Sequence, residues 1–342
     1  MSTRSSNNHS STCNEKWIID TDPGVDDSFA ILLALSALGD NLIALSIENG
    51  NVGIDTCFIN AKKICAVKKK HIPIYKGVSL NLSGVDLNAE RIHGSDGLYE
   101  LQQYNEWEER YDETVLKPLE NIDNPLIDKC SPLKIIELSH KFNGHLNILA
   151  IGPLTNLSIA FMLDPTLPER INNIVIMGGS YTSLGNIKTN VEFNFACDPI
   201  AAKIVIDNFN KHNNHIVIYP WETCTKHLIA ISHLDLIEKC SSETSKFCKS
   251  IIEKKHSLNE VGVYADYGSA VYMVDKNSKK HSIHKFVDIS IDSDICSFGQ
   301  LCLEYDYSVK NESNAHKRKK VEIILKLEDE IFYKLFEKMN ED

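Results

Sequence analysis

The residues with the most chemistry to offer lie between Trp17 and Leu38, in the stretch WIIDTDPGVDDSFAILLALSAL. Asp20, Asp22, Asp26 and Asp27 fall within eight consecutive positions, and Pro23-Gly24 divides them into two pairs. Two carboxylates about 4 Å apart repel by roughly 1 kcal/mol in water and roughly 4 kcal/mol at an effective dielectric near 20. A place in the first turn of a helix returns only about 0.3–1 kcal/mol each from the dipole. Groups crowded in this way must protonate, splay into solvent or share a cation. Oxygen-only ligands suit a hard divalent ion, Ca²⁺ or Mg²⁺, rather than zinc. A helix cap beside a solvated acidic loop is the plainer alternative, but nothing structural requires four adjacent carboxylates.

The elements around the motif are legible. Trp17-Ile18-Ile19 is short, apolar and partly β-branched, as a buried strand is. Positions two apart on a strand point the same way, so Asp20 and Asp22 share a side. Pro23-Gly24 signals a turn, and Phe29 to Leu38 is an apolar run long enough for a helix. Leu42 to Ile47 reads as a second strand, Asp55 to Lys70 as a helix and Ile72 to Tyr75 as a short strand. A helix from Pro132 to His140 precedes a strand from Leu146 to Ile151, after which Thr155-Asn156 can cap a further helix. Asn173 to Met177, His215 to Tyr219 and Val321 to Leu327 are further strands, with a helix from Asp198 to Phe209 between the first two. Ile331, Phe332, Leu335, Phe336 and Met339 make one face of a terminal helix. Strands that alternate with helices and lack polar alternation predict an α/β fold, an open, mostly parallel, doubly wound (Rossmann-like) sheet with helices on both faces. Such sheets bind ligands beyond the carboxyl ends of their strands, where every polar motif here falls.

Bulk properties narrow the class. The chain has 342 residues, 43% hydrophobic and 24% charged, as expected of a soluble globular protein. A net charge of −11 argues against nucleic acid or an anionic membrane as a general partner. Ten cysteines without a CxxC pair predict free thiols in a reducing, cytoplasmic setting. Residues 1–15 are rich in Ser, Asn and Thr and predict a disordered tail ahead of one domain over 16–342. Residues 104–130 are acidic and aperiodic and read as a surface excursion. Residues 225–262 read as a helical segment near the mouth of the site. No stretch has eighteen uninterrupted apolar residues, so no membrane span is expected.

DTDPGVDD at a strand–helix junction resembles the signature of the nucleoside hydrolases, the inosine–uridine-preferring nucleoside N-ribohydrolases. Further motifs extend the resemblance over residues 16–342. Glu48-Asn49-Gly50-Asn51 places Asn51 where the family binds ribose, and Arg91-Ile92-His93-Gly94 places His93 near the nucleoside. Ile151-Gly152-Pro153-Leu154-Thr155-Asn156 resembles the family's strand–GPLTN–helix segment, which implies the Ile151 carbonyl as a calcium ligand. Met177-Gly178-Gly179 resembles its MGG, with Met177 against the sugar or base. Val191-Glu192-Phe193-Asn194 resembles its EFN box. Alternation there puts Glu192 and Asn194 on one face of an extended segment. The resemblance adds Phe193 as a cover for the sugar and Asn186 as a further ribose ligand. Asp198 reads as a helix cap, and Asp266 matches the family's late calcium ligand.

The resemblance implies calcium-dependent hydrolysis of the N-glycosidic bond of ribonucleosides, in nucleoside salvage, by a homodimer or homotetramer. Asp22 would be both calcium ligand and general base toward a metal-bound water. Asp27, Asp266 and the Ile151 carbonyl would complete the protein's share of the metal shell. Asp26, Asn186, Glu192 and Asn194 would grip ribose hydroxyls, and Asp20 would orient the loop from behind. One departure stands out. Branches of the family place His or Trp immediately before the late aspartate to activate the leaving base, and this chain has Ala265 there. Tyr264, Tyr267, Trp221 and Glu222 are the candidates to serve instead. Two rivals are kept open. One is a non-catalytic nucleoside-binding protein of the same fold. The other is a haloacid-dehalogenase-type phosphatase, for which Asp20-Thr21-Asp22 has the spacing but Asp26, Asp27 and the EFN box have no use.

Overall fold

Alternating burial on consecutive strands explains the layers. On β4 (Leu146–Ala150) the side chains of Ile148 and Ala150 enter one apolar cluster. Leu149, and Ile151 just past the strand, enter the other. Ile174 and Ile176 on β5 (Ile171–Met177) divide from Val175 and Met177 in the same way. A strand apolar on both faces must be covered on both, and helices on crossover connections do so. The computed structural model describes residues 15–112, 130–210, 215–292, 296–304 and 319–341.

These strands belong to one nine-stranded sheet, ordered β3-β2-β1-β4-β5-β6-β9-β7-β8. The other strands are β1 (Lys16–Thr21), β2 (Leu42–Ile47), β3 (Ile74–Lys76), β6 (His215–Tyr219), β7 (Lys279–Ile289), β8 (Leu301–Glu304) and β9 (Val321–Leu327). All neighbours from β3 across to β9 run parallel. β7 lies antiparallel to β9, and β8 antiparallel to β7. This mostly parallel α/β sheet is the fold expected from the sequence. The antiparallel edge was not legible. β7 opens Lys279-Lys280-His281, and its charged positions hide it from a reading based on apolar runs, although charges are what protect a sheet edge from further pairing.

One face carries α1 (Val25–Leu38), α2 (Ile54–Val67), a one-turn α3 (Glu90–His93) above it, and, later in the chain, three helices described below. The other carries α4 (Ser131–Lys141), α5 (Thr155–Leu163) and, after a short α6 (Phe193–Cys197), α7 (Pro199–Phe209). α8 (Trp221–Cys224) is a single turn after β6. α9 (Glu243–Ser257), α10 (Ala265–Val274) and α11 (Asp329–Glu341) complete the first face. Within 225–262 lie a 3-10 turn at Ile231–Leu236 and α9. No described helix is long and apolar enough to cross a membrane. The nine described cysteines are free, five of them buried.

Two expectations need correction. The segment 104–130 is not wholly a surface excursion. Its first residues make 3-10 turns whose Tyr104, Trp107 and Tyr111 are buried, with Tyr104 edge-on to Trp107 and Phe247. The aromatics outweigh the acidic residues between them, since each buries a large apolar area. Residues 113–129 lie outside those described, as does the proposed tail apart from Glu15. The second concerns Thr155-Asn156, which does not cap α5. Leu154 is its N-cap, and both side chains are engaged elsewhere.

α1 is apolar around its whole circumference from Phe29 to Leu35, so it is a buried helix rather than an amphipathic one. Phe29 packs at a tilt against Tyr264 with ring centroids 4.4 Å apart and lies parallel to Phe336 of α11 at 6.1 Å. Helix α11 therefore holds α1 from behind, and α1 carries the acidic residues. Phe336→Ala should destabilise the protein by about 3–5 kcal/mol, the cost of deleting a fully buried aromatic ring. Urea unfolding followed by circular dichroism checks this, and an unchanged midpoint would show that the terminal helix is dispensable.

Candidate active site

The acidic motif spans the end of β1 and the start of α1. Asp27 occupies the third position of the helix, and its carboxylate turns back to accept the Gly24 backbone N–H at 3.0 Å and the Thr21 hydroxyl at 2.5 Å. This is one half of a capping box, with the residue that starts the helix also serving the site. Asp22 follows the strand. Its Oδ2 accepts the Asn51 backbone N–H at 2.7 Å, and its carbonyl accepts the Asn51 amide at 3.1 Å. The same amide nitrogen reaches Asp27 Oδ2 at 2.9 Å. Asn51 thus fastens the loop after β2 to both aspartates. A Cβ on Gly50 would lie 2.1 Å from Asp22 Oδ2, so only glycine lets that loop approach so closely.

Asp266, in the first turn of α10, brings a third carboxylate to the same place. Ligand oxygens of Asp26, Asp27 and Asp266 all lie within 4.8 Å of one another. Asp22, Asp27 and Asp266 are buried, with exposures of 0%, 0% and 3%. Burial pushes the Asp22 carboxyl well above its ordinary range, and Asp27 adds to this. Burial and the neighbouring Asp26 raise Asp27 to about 7. Asp266 is likewise raised, by burial and then by Asp26 and Asp27. Among the described residues, no Lys or Arg comes within 4.0 Å of Asp22, Asp27 or Asp266. Asp22 Oδ1 is buried without a hydrogen-bond partner. Asp26, Asp27 and Asp266 together offer the oxygen-only donor set that suits a hard divalent cation, and the unpartnered Asp22 Oδ1 is buried in the same loop.

The floor of the site comes from the ends of β4 and β5. Asn194 Nδ2 donates to the Ile151 carbonyl at 2.9 Å and to the Met177 carbonyl at 3.1 Å. Glu192 does not lie on an extended segment, as alternation had predicted. It is the N-cap of α6, accepting from the backbone N–H groups of Gly179, Asn194 and Phe195. A carboxylate that satisfies a helix start outweighs the strand pattern, and burial raises Glu192 to about 7. Phe193 is the first residue of that helix and half-buried. Asp198 caps α7, as expected, and also accepts the Thr155 hydroxyl.

His93 closes one side. Its Nδ1 accepts the Val25 backbone N–H at 3.0 Å and lies 3.8 Å from Asp26 Oδ1. Burial lowers its pKa, and an Nδ1 that accepts a backbone N–H requires the neutral ring. Behind the site, Asp20 Oδ1 accepts from the Ser46 hydroxyl and from Asn156 Nδ2 at 3.2 Å. Asn156 N donates to Glu48 at 2.6 Å. Burial lifts Asp20 to about 6 and raises Glu48 as well. Asp20 is therefore a support, in the position expected of it.

Not every candidate joins the cluster. Asn186 is exposed in the loop before α6, with its backbone N–H on the Val191 carbonyl. The Tyr267 hydroxyl donates to the Phe332 carbonyl at 3.1 Å inside the core. Glu222 anchors the 180–182 loop by accepting from Ser180, Tyr181 and Thr182. Trp221 is half-buried at the start of α8, its N–H on the Gly179 carbonyl. Tyr264 alone of the four is buried with an unpartnered hydroxyl. Glu48 and Lys255 escaped the sequence reading. Glu48 looked like turn chemistry, whereas Lys255 left a signal: it continues the buried stripe Phe247, Cys248, Ile251, Ile252 at helical spacing.

Residues 17–334 match the family model described as inosine-uridine preferring nucleoside hydrolase. The chain is similar to the pyrimidine-specific ribonucleoside hydrolase RihB of Escherichia coli O6:K15:H31, at 31% identity over 191 residues, 56% of this chain and 55% of RihB. It is similar to uridine nucleosidase 1 of Arabidopsis thaliana at 29% identity over 259 residues, covering 74% and 70%. The chain spans about half the length of RihB and similar curated relatives. Among solved structures, the plant nucleoside hydrolase PpNRh1 superposes with a TM-score of 0.79 at 25% identity, covering 96% of this chain and 100% of that one.

Raised carboxyl pKa values have a consequence for stability. Between the ordinary carboxyl range and pH of about 7, the cation-free native state holds protons that the unfolded chain has lost, so stability falls as pH rises. The protein stripped of cations should melt at a lower temperature near pH 8 than near pH 5.5, and millimolar divalent cation should restore the loss chiefly at the higher pH. Differential scanning calorimetry at both pH values measures it. A cation response equal at both would show that the carboxylates are not what the ion neutralises.

Proposed function

This chain belongs to the inosine-uridine preferring nucleoside hydrolase family, and from that premise we propose that it hydrolyses the N-glycosidic bond of ribonucleosides with calcium as cofactor. The observation that carries the proposal is the buried Asp22 Oδ1, unpartnered among carboxylates that no described Lys or Arg neutralises. Asp22, Asp27, Asp266 and the Ile151 carbonyl would hold the ion. When bound, calcium supplies a fixed positive charge that orders water and sugar hydroxyls and lets the surrounding carboxyl groups ionise.

The chain's own residues divide the remaining work. The bond breaks through a sugar cation, so negative charge near C1′ and a base for the incoming water are both needed. Asp22 takes the proton of that water, with its carboxylate held in place by the Asn51 backbone N–H. Asp26, Glu192 and Asn194 grip the ribose hydroxyls. Asn51 holds Asp22 and Asp27 in register, and Met177 with Phe193 covers the sugar. Asn186, exposed here, reaches a ribose only if its loop moves inward. We assign the enzyme to nucleoside salvage in a reducing, cytoplasmic setting, as a homodimer or homotetramer. RihB and the plant nucleosidase carry pyrimidine or uridine in their names, so uridine is the first substrate to try.

Release of free ribose from uridine and inosine tests the proposal. Asp22→Ala should lower kcat by about 10²–10⁴-fold, the usual worth of a positioned general base. Chelation should abolish turnover of the wild type, and 2′-deoxyuridine should be a poor substrate because the diol grip is lost. Persistence of most activity in Asp22→Ala would remove that residue from the role of base.

A further inference from the structure

Lys255 is a buried cation on α9 that lies against Tyr264, the residue before Ala265. Helix α9 buries Phe247, Cys248, Ile251 and Ile252 along one stripe, and Lys255 takes the next place on it. Its side chain is 8% exposed, whereas His256 beside it is exposed. Placing an ammonium where an apolar residue would fit costs several kcal/mol unless partners offset it. The one carboxylate within 4.0 Å among the described residues is Glu260, with Oε2 at 3.8 Å, beyond hydrogen-bond reach. That same oxygen already accepts the Tyr99 hydroxyl at 2.8 Å.

What the ammonium faces instead is the start of α10. It lies 5.2 Å from the ring centroid of Tyr264, two residues before Asp266. The Tyr264 hydroxyl is buried and unpartnered. Asp26 is near enough to act electrostatically on both Lys255 and Tyr264, and it adjoins His93 on the same side. An under-partnered cation thus stands beside Tyr264 at the start of α10, and Glu260 and Tyr99 link it to His93 at the edge of the acidic cluster.

We propose that Lys255 is the leaving-group donor of this site, giving its ammonium proton to the departing base, with the Tyr264 ring positioning the ammonium. The inference rests on the hydrolase reading above. In the step, the C1′–N bond breaks and its electron pair goes to the base nitrogen. The proton from Lys255 neutralises the anion that forms, at a ring nitrogen or through a ring oxygen. Water adds to C1′ and its proton passes to Asp22. Solvent then returns a proton to Lys255 and removes one from Asp22, so nucleoside and water give ribose and neutral base. Burial lowers the Lys255 pKa, which makes its ammonium a stronger acid than a surface lysine.

A donor matters only when the leaving group is poor. 4-Nitrophenyl β-D-ribofuranoside expels a stable anion and needs no proton, while uridine and inosine do. Lys255→Met should therefore lower kcat/KM for the nucleosides by about 10²–10⁴-fold and leave the nitrophenyl riboside within about threefold of wild type. Lys255→Arg, which keeps the charge but holds its proton, should rescue only part of the nucleoside loss. Retained cleavage of the nitrophenyl riboside also shows that the variant folds. A parallel loss on both substrate types, or no loss on either, overturns the proposal by making Lys255 structural or idle. Wild-type protein that cleaves neither overturns the hydrolase reading itself, and wild type that cleaves the nitrophenyl riboside alone overturns the donor assignment.

Discussion

Carboxylate repulsion in a site closed to water is the constraint on which the rest depends. Asp22, Asp27 and Asp266 are each almost fully buried, and Asp26 approaches two of them within the span of a single ion. In the interior such an arrangement is unfavourable in every ionised state unless a cation stands among the oxygens. The surrounding fold is what makes the crowding possible at all. Helix α1 is immersed in apolar contacts along its length, and α10 packs against it. The stabilisation of that packing offsets the repulsion at its tip, so the acidic groups are forced together by contacts made well away from them.

The sheet decides which residues meet. Parallel strands aim their carboxyl ends in one direction, so the loops after β1, β2, β4 and β5 converge without any long connection. Asp22 comes from the first, Asn51 from the second, the Ile151 carbonyl from the third and Met177 from the fourth. Helices α1 and α10 both reach the site at their starts, with the first-turn aspartates Asp26, Asp27 and Asp266, where the helix dipole favours negative charge. The antiparallel pair β7–β8 lies at the far edge of the sheet and contributes none of these groups.

This convergence explains what could be read from the chain and what could not. Buried strands such as His215–Tyr219 and Val321–Leu327 were legible to the residue, because apolar residues dominate both and only His215, Glu322 and Lys326 interrupt them. The charged β7 was not, since edge strands are selected against that pattern. In the site, Asp20, Asp22, Asp26 and Asp27 announced themselves by local density, and Asp266 only through family resemblance, lying far away in sequence. Glu192 was found, but its geometry was misjudged: alternation in Glu192-Phe193-Asn194 fits a strand, and only the backbone N–H groups of Asn194, Phe195 and Gly179 reveal a helix cap. Tyr267 and Glu222 were plausible by type and position, yet each spends its polar group on the protein itself. No one-dimensional signal separates a side chain used internally from one left open.

The residue type chosen to brace the site follows from the same electrostatics. Asn51, Asn156 and Asn194 each cross-link loops through amide nitrogens, to Asp22 and Asp27, to Asp20 and the Ile47 carbonyl, and to the Ile151 and Met177 carbonyls. A lysine or arginine in those places would satisfy the oxygens equally well and hold them more strongly. It would also cancel the negative charge that attracts a cation and occupy the space one needs. Neutral amides satisfy lone pairs while leaving the charge intact. The buried cation of the region, Lys255, is correspondingly kept beyond 4.0 Å of every carboxylate oxygen in the cluster and faces Tyr264 instead. The fold thus keeps a cluster of negative charge and a neighbouring positive charge apart, although both are buried.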